Sequence, residues 1–416
     1  MVVRLLVIIF FLICLSALNS FGQLTIKDFL QSAESDIALK ATDEQSGYLQ
    51  DKPYSLSFIN RLQFRMQNNE GISRETQRYG LWLSPTNPLA ISSTNKYFKS
   101  YAESLIFEKE MILKKALADR YFMIIEFLYF SELKALYEKD KNLVDAQIDV
   151  LEKQLSTDFF NPADFTELKL RQISKSVEVE EALFDVDNQI ARIDNKYTDG
   201  YIKELNWKYE EIISVKQIEK ILDSLITIEV PSILLNYEEN KIEMARQSYF
   251  IQKSNINTGF IQGNYLPNET KKMPWGWVAG ITIPLVNPNK GDMAKKELKV
   301  IEERNKKLIS QANLQAEKNT IVDKLKKLIS RYNSVKDKID KLDINSVTST
   351  LSSMRTNNPI IALKLNSEVL KLHLILLKLK QNILAGYIEF LSTHDQLQQK
   401  PLINYLSPNL TRLDEN

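Results

Sequence analysis

The chain has 416 residues, of which 44% are hydrophobic and 26% charged, and its formal net charge is +1. This composition excludes a wholly disordered chain and a membrane protein built from many apolar helices. The balanced charge gives no reason to expect a nucleic-acid partner. Only 11 Gly and 12 Pro are present, so few positions favour turns, and most of the chain is expected to form long helices.

Residues 1–22 have the pattern of an export signal peptide. Arg4 precedes an apolar run over 5–15, and the small residues Ser20 and Gly22 mark a cleavage site. An uncleaved signal anchor is the alternative, but the apolar run is shorter than the ~20 residues of a spanning helix. Cleavage would remove Cys14, the only cysteine, so the mature chain is predicted to have neither a disulfide nor a cysteine-based metal site.

The first strand-like pattern lies at residues 54–67, where apolar and polar side chains alternate, with Asn60 as the exception. The apolar face carries Leu56, Phe58, Leu62 and Phe64. The opposite face carries Arg61, Gln63 and Arg65. A second strand is predicted around 79–83, although the pattern there does not settle which side chains share a face.

The strand pattern returns in the second half of the chain. Residues 275–285 alternate strongly, with Trp275, Trp277, Ile281 and Ile283 on one face, and a weaker strand is predicted at 256–266. These lengths suit tilted transmembrane strands of ~9–11 residues, whose apolar face meets lipid and whose polar face meets water. A small soluble sheet that packs the same apolar residues into a core is the alternative. Four strands cannot close a barrel, so a membrane location requires several copies, and three copies would give twelve strands.

Long helices follow each strand pair. Residues 89–155 contain neither Gly nor Pro, which predicts a rod of roughly 100 Å. Residues 291–354 form another uninterrupted stretch of similar length. Pro162 and Pro359 suit the first position of a new helix in each half, so each half is predicted to contain a helical hairpin. Asn-Pro pairs at 87–88 and 287–288, about 200 residues apart, mark the duplication.

Two apolar stripes on these helices have the alternating three- and four-residue spacing of a coiled coil, which requires neighbouring rods. The stripes are Val179, Leu183, Val186, Ile190, Ile193 and Leu325, Leu328, Tyr332, Val335, Ile339, Leu342. The aromatic cluster at 121–130 is interpreted as core packing, with a contact between rods as the alternative. His373 and His394 are isolated on one helix and are expected to be packed or solvent-exposed, so the sequence predicts no catalytic site, metal or cofactor.

The order of elements resembles that of the TolC-type outer-membrane efflux proteins (outer membrane factors). Residues 277–285 (WVAGITIPL) resemble the strand that precedes the second helical hairpin, and 161–169 and 358–364 resemble the hairpin tips. The resemblance implies a mainly α-helical chain with a small membrane β part: long coiled-coil hairpins plus four strands per protomer, which trimerise into a 12-stranded β-barrel and an α-helical tunnel.

The resemblance also implies positions for site residues and partners. Strand–helix junctions would lie at Pro85, Pro88, Pro284 and Pro288. Hairpin tips at Asn161, Pro162, Asp164, Arg355, Asn358 and Pro359 would face a periplasmic adaptor (membrane fusion) protein, which links the homotrimer to an inner-membrane transporter. Residues 352–357 contain no carboxylate, so an acidic, cation-binding entrance is not expected there.

The predicted organisation follows the same plan. In chain order the segments are a signal peptide (1–22), an N-terminal periplasmic segment (23–53), strand pair 1 (54–85), hairpin 1 (86–197, tip near 156–163), connecting helices of an equatorial layer (198–253), strand pair 2 (254–286), hairpin 2 (287–396, tip near 352–360) and a C-terminal periplasmic tail (397–416).

The predicted function is that of a passive exit channel in the bacterial outer membrane, with its helices in the periplasm. It would serve a tripartite efflux or type I secretion system and carry out no enzymatic reaction. The alternative is a periplasmic coiled-coil adaptor or scaffold protein without a membrane barrel.

Overall fold

The computed structural model describes residues 24–51, 56–68, 77–155, 160–197, 205–254, 259–265, 275–281, 289–341 and 359–414. The predicted signal peptide and the predicted entrance residues 352–357 lie outside these ranges.

The chain divides into two compact units. The first takes its residues from Met1–Asp36, Leu113–Val230 and Ala316–Asn416, and the second from Ile37–Ile112 and Pro231–Gln315. Among the described residues, no helix combines the length and apolarity needed to cross a membrane.

Helices dominate the described ranges. They are α1 (Ile26–Gln31), α2 (Ile37–Asp51), α3 (Pro88–Glu152), α4 (Pro162–Lys196), α5 (Val215–Thr227), α6 (Ile233–Ser254), α7 (Lys290–Lys341) and α8 (Pro359–Thr393). The four strands are β1 (Ile59–Asn68), β2 (Gln77–Pro85), β3 (Gly259–Tyr265) and β4 (Trp275–Ile281). They form one antiparallel sheet within the second unit, in the order β1-β2-β3-β4.

The Asn-Pro pairs start helices for a local chemical reason. At α4, the Asn161 side chain accepts a hydrogen bond from the Ala163 N–H, and Pro162 occupies the first helical position. Asn87 accepts from the Leu89 N–H in the same way at the start of α3. An amide cap satisfies a free N–H of the first turn, and proline has no N–H to leave unpaired. Helices α4 and α8 begin at Pro162 and Pro359, so both predicted helix starts are confirmed.

The aromatic cluster of α3 forms the core of the first unit. Tyr121, Ile124 and Leu128 are buried, as the sequence analysis predicts. The Trp207 ring contacts Phe29 and Phe127, with ring centroids 5.7 and 5.6 Å apart. The interpretation of this cluster as core packing is confirmed.

Both ends of the described chain contribute to this core. Phe29 and Leu30 of α1 are buried, and so are Leu402, Leu406 and Leu413 near the C-terminus. The Ile213 N–H donates to the Leu406 carbonyl at 2.7 Å, which ties the C-terminal segment to the start of α5. This role was not predicted from the sequence, because the segment after residue 396 has no helical or strand periodicity.

The two predicted apolar stripes have different outcomes. On α7, Leu325 and Ile339 are buried, and Leu328, Tyr332 and Val335 are half-buried, so that stripe packs inward; Leu342 lies outside the described residues. On α4, Ile193 is buried and Val179, Val186 and Ile190 are half-buried, as expected for a packed stripe, whereas Leu183 is exposed and the neighbouring Ala182 is buried. A second seam, with intervals of seven residues, runs through the buried Leu168, Ala182 and Gln189 and the half-buried Lys175. Three of these four residues are small or polar, so an apolar pattern alone missed the seam.

Tyr121 offers a test of how the C-terminal segment is held. Its hydroxyl donates to the Ile403 carbonyl at 2.9 Å and accepts from the Tyr405 N–H at 3.0 Å. Tyr121→Phe would leave both buried backbone groups unpaired, so we expect it to lower the free energy of unfolding by ~1–3 kcal/mol. Denaturant titration followed by circular dichroism measures this change.

Tyr387→Phe is the matched control. This tyrosine is also fully buried, but its hydroxyl has no hydrogen-bond partner in the part of the chain that the structure describes. Its removal should leave the unfolding midpoint unchanged or raise it slightly. Equal losses in the two variants would contradict the role given to Tyr121.

Candidate functional site

The sheet of the second unit has one continuous apolar face. Cross-strand partners share a face of a sheet, and successive residues alternate between faces. Phe64 pairs with Leu81, which pairs with Gly263, and Gly263 pairs with Trp277. The same register assigns to this face Leu62, Phe64, Met66, Tyr79, Leu81, Leu83, Ile261, Tyr265, Trp275, Trp277, Ala279 and Ile281. The sequence had left the faces of β2 and β3 open, and pairing with β1 and β4 assigns them.

This apolar face is exposed. Phe64 is 72% exposed, Trp277 78% and Ile281 87%. The sequence-predicted residues Leu62, Phe64, Trp275, Trp277 and Ile281 all lie on it, whereas Ile283 lies outside the described residues. Their proposed contact with lipid remains a prediction.

The first strand begins later than predicted. Leu56 and Phe58 are exposed but precede β1, and the pairing with β2 shifts by one residue between Ile59 and Arg61. This irregularity explains why Asn60 breaks the alternation, since an extra residue at a bulge interrupts the ladder. The backbone remains beside β2 here, because the Thr86 N–H donates to the Phe58 carbonyl at 2.8 Å.

Aromatic side chains form a row at one end of the apolar face. Tyr79 pairs with Tyr265, which pairs with Trp275. The Tyr265 and Trp275 ring centroids are 4.5 Å apart, and those of Phe64 and Tyr79 are 6.1 Å apart. Girdles of aromatic residues bound the apolar band of outer-membrane barrels, because their rings suit the interface between lipid and water.

The opposite face of the sheet is polar. It carries Arg61, Gln63 and Arg65, as predicted from the alternation, and the register adds Arg78, Ser84, Gln262 and Asn264. Arg65 is held in place: its Nη2–H donates to Gln63 Oε1 at 3.0 Å, and its guanidinium lies 4.1 Å from the centre of the Trp82 ring. Trp82 in turn stacks on Phe260 at 3.8 Å. The sequence missed Arg78, Trp82 and Gln262, whose face depends on the strand register.

The sheet has two unpaired edges. The outer strands are β1 and β4, and no strand among the described residues pairs with the outer side of either. An open edge leaves a row of N–H and C=O groups available to another chain.

The first strand–helix junction is fixed by hydrogen bonds. Pro85 ends β2 and Pro88 begins α3, as expected for a junction. Between them, the Asn87 side-chain amide donates to the Ser254 carbonyl at the end of α6, at 2.9 Å. Pro284 and Pro288, predicted at the second junction, lie outside the described residues.

The predicted hairpin tips are described in part. Asn161, Pro162 and Asp164 form the start of α4, with Asp164 in its first turn. Pro359 begins α8, and Arg355 and Asn358 lie outside the described residues.

Uncovered apolar stripes lie on two helices. On α4 the stripe consists of Leu170, Ile173, Val177 and Phe184, of which Leu170, Ile173 and Phe184 are more than 60% exposed. On α7 it consists of Leu298, Ile301 and Leu308. Both stripes have the spacing of a coiled-coil seam, which favours contact with a further helix. The coiled-coil spacing predicted that the rods need neighbours, but it placed the contact on a different stripe of α4.

A buried ion cluster joins three helices of the first unit. The Asp140 side chain of α3 is 3% exposed and accepts a hydrogen bond from the Ser367 hydroxyl of α8 at 2.6 Å. Lys175 Nζ of α4 lies 3.1 Å from Asp140 Oδ2, and Arg171 donates to the Ser367 hydroxyl at 2.6 Å. Burial alone would lower the pKa of Lys175, but hydrogen bonds to Glu178 and Asp140 outweigh it and raise the pKa above its usual value.

The sequence could not reveal this cluster, because Asp140 and Ser367 are 227 residues apart. The raised pKa means that Lys175 stays charged in the folded protein. Its contribution to stability is complete below the ordinary lysine pKa and is lost only as the pH rises through the higher folded-state value.

Asp140→Asn tests the cluster. The amide keeps the shape of the carboxyl group but removes the negative charge that faces Lys175 and Arg171, and it leaves the half-buried ammonium of Lys175 with Glu178 as its remaining charged partner. We expect a loss of about 2–3 kcal/mol in the free energy of unfolding, somewhat less than for a fully buried pair. Asp149→Asn, at an exposed position of the same helix, should change it by less than ~0.5 kcal/mol. Denaturant titration compares the two, and equal midpoints would contradict the role of Asp140.

No protein-family model matches the sequence, and no curated protein matches it. Solved structures do match. The open-state MtrE outer membrane channel of Neisseria gonorrhoeae is 9% identical in sequence, and its TM-score is 0.66. The match covers 89% of this chain and 88% of the MtrE chain. The outer membrane protein VceC of Vibrio cholerae is 10% identical, with a TM-score of 0.63, and the match covers 89% of this chain and 96% of the VceC chain. The CmeC outer membrane channel of Campylobacter jejuni is 9% identical, with a TM-score of 0.60, and the match covers 92% of this chain and 84% of the CmeC chain.

Identities near 10% establish the fold alone. The predicted resemblance is confirmed at that level: the chain, mostly helical with one four-stranded antiparallel sheet, has the fold of TolC-type outer-membrane channel proteins.

Proposed function

We propose that this chain is the outer-membrane channel of a tripartite efflux or type I secretion system. Substrates would leave the cell through it passively, with no bond chemistry in this chain. The observation that carries the proposal is the four-stranded sheet, which has an exposed apolar face, a polar face and two unpaired edges.

The apolar face calls for a lipid environment. Burying one large apolar side chain stabilises a protein by roughly 1.5–3 kcal/mol relative to leaving it in water, and this face presents many of them. A soluble sheet would cover these side chains with a second layer, whereas Phe64, Trp277 and Ile281 remain mostly exposed. The alternative of a periplasmic adaptor without a barrel leaves this face unexplained.

The open edges call for further copies of the chain. In lipid each unpaired backbone group costs several kcal/mol, so the sheet must close into a barrel. The strands are antiparallel in the order β1-β2-β3-β4, so β1 and β4 run in opposite directions. Placing β4 of one copy beside β1 of the next continues the antiparallel pattern, and three copies close a 12-stranded barrel. The uncovered stripes on α4 and α7 supply helix contacts for the same ring.

The helical part would form a tunnel in the periplasm. Its hairpin tips, which include Asn161, Pro162 and Asp164 on one hairpin and Pro359 on the other, would meet a periplasmic adaptor protein, and the adaptor would connect the channel to an inner-membrane transporter. The names of MtrE and CmeC, both outer membrane channels, support this assignment by analogy of fold.

A pair of substitutions on β4 tests the proposal. Trp277 lies on the apolar face and is 78% exposed, and its neighbour Val278 lies on the polar face and is 48% exposed. Trp277→Arg should raise the free energy of the membrane-inserted protein by roughly 1–4 kcal/mol per copy, depending on the depth of the residue in the bilayer. It should therefore sharply reduce the amount of protein in the outer membrane. Val278→Arg adds the same charge towards water and should be tolerated. Membrane fractionation and immunoblotting measure both.

The wild-type protein should sediment with outer membranes and migrate as a trimer that heating dissociates. In a water-soluble sheet both arginine variants would behave alike, since both positions would face solvent. Equal effects of the two substitutions, or a soluble periplasmic monomer, would overturn the proposal.

A further inference from the structure

The charged residues of the four strands have one sign and share one face. The described strand residues contain three arginines, Arg61, Arg65 and Arg78, and no acidic side chain. Arg61 pairs with Ser84, Arg65 with Gly80 and Arg78 with Gln67, so all three lie on the polar face. All three are exposed, and in the part of the chain that the structure describes none of them forms an ion pair with a carboxylate.

The arginines lie at three levels along the sheet. Arg61 and Arg65 are four residues apart on β1, a distance of roughly 14 Å at the rise of an extended strand. Arg78 is opposite Gln67, which is roughly 7 Å further along. The positive charge is therefore spread along the face rather than confined to one end.

Arg65 is oriented as well as charged. Its guanidinium rests on the Trp82 ring at 4.1 Å and donates one hydrogen bond to Gln63. Trp82 is itself fixed by stacking on Phe260 and by a hydrogen bond from its Nε1–H to the Ser84 hydroxyl at 3.1 Å. A guanidinium has five N–H donors, so most of those of Arg65 remain available to a passing anion.

The connecting segments do not offset this charge. Residues 69–76 and 266–274 link the strands in sequence and lie outside the described residues. They contain Glu70, Arg74, Glu75, Glu269, Lys271 and Lys272, whose formal charges cancel.

We propose that the pore lined by this polar face passes anions in preference to cations, so that its substrates are anionic solutes. The inference rests on the proposed function, because the polar face lines a water-filled lumen only in the closed barrel. Three copies would place nine guanidinium groups around one lumen. Rings of arginine favour anions, and a low-dielectric wall lined with one sign of charge raises the local concentration of counter-ions tenfold or more.

Ion selectivity of the reconstituted full-length protein tests this inference. The reversal potential across a neutral-lipid bilayer, with KCl at about 10 mM on one side and about 100 mM on the other, gives the ratio of chloride to potassium permeability. Charge effects persist at these concentrations because the Debye length is roughly 10–30 Å. We expect chloride to be favoured roughly tenfold in the wild type, and less so in ~1 M salt, where screening is stronger.

Two triple variants separate charge from shape. Arg61→Gln/Arg65→Gln/Arg78→Gln should bring the permeability ratio close to one, whereas the matched Arg61→Lys/Arg65→Lys/Arg78→Lys should keep the chloride preference. If the glutamine triple variant does not insert, the single variants Arg61→Gln and Arg78→Gln should each lower the ratio about twofold. Comparing variants of one protein cancels contributions from other parts of the pore.

The outcomes distinguish the two proposals. Wild-type channels that favour potassium or neither ion would overturn the anion inference and leave the channel function intact. A glutamine variant with the wild-type ratio would do the same. If the wild-type protein formed no channels at all, the proposed function itself would fail, and the anion inference with it.

Discussion

A sheet of four strands cannot close on itself, and this constraint governs the interpretation of the whole molecule. The sheet presents an apolar face on one side and arginine, glutamine and asparagine on the other, with open edges at β1 and β4. Exposure of the apolar face to water is unfavourable in free energy, and so is exposure of the unpaired strand edges to lipid. A closed ring of several copies in a membrane relieves both costs at once, since lipid covers the apolar face and neighbouring strands pair the edges.

The helical part also leaves apolar surface uncovered, although less of it than the sheet does. The core of the first unit is well packed around Tyr121 and Trp207, yet apolar stripes on α4 and α7 remain uncovered. The seam that does pack on α4 uses Lys175, Ala182 and Gln189, and the ion cluster at Asp140 fixes three helices there by charge and hydrogen bonding. Polar groups thus contribute to the contacts that α4 makes within the chain, and its uncovered apolar stripe is left for contacts between chains in the proposed trimer.

Local signals predicted much of this structure from the sequence. Alternation located the strands and separated Phe64 and Trp277 from Arg61 and Arg65, and proline located the starts of α4 and α8. These features depend on neighbouring residues, so a single sequence contains them. The face of Trp82 and Gln262, the partner of Asp140 and the burial of Leu406 depend on residues far away in the sequence, 227 positions in the case of Asp140 and Ser367, and periodicity carries no information about such pairs. Leu183 shows the remaining error, because two apolar stripes compete on α4 and hydrophobicity alone does not say which one is covered within the chain.

The packing of the segments around Phe29 and Leu413 into one unit has a consequence for biogenesis. Phe29 near the beginning and Leu413 near the end are buried in the same unit, and Tyr121 binds the segment around Ile403. Phe29 and Leu413 are 384 residues apart in the sequence, so this unit cannot reach its final packing until both have been synthesised. The chain therefore lacks a finished core during most of its synthesis, which would suit the translocation step that the proposed outer-membrane location requires.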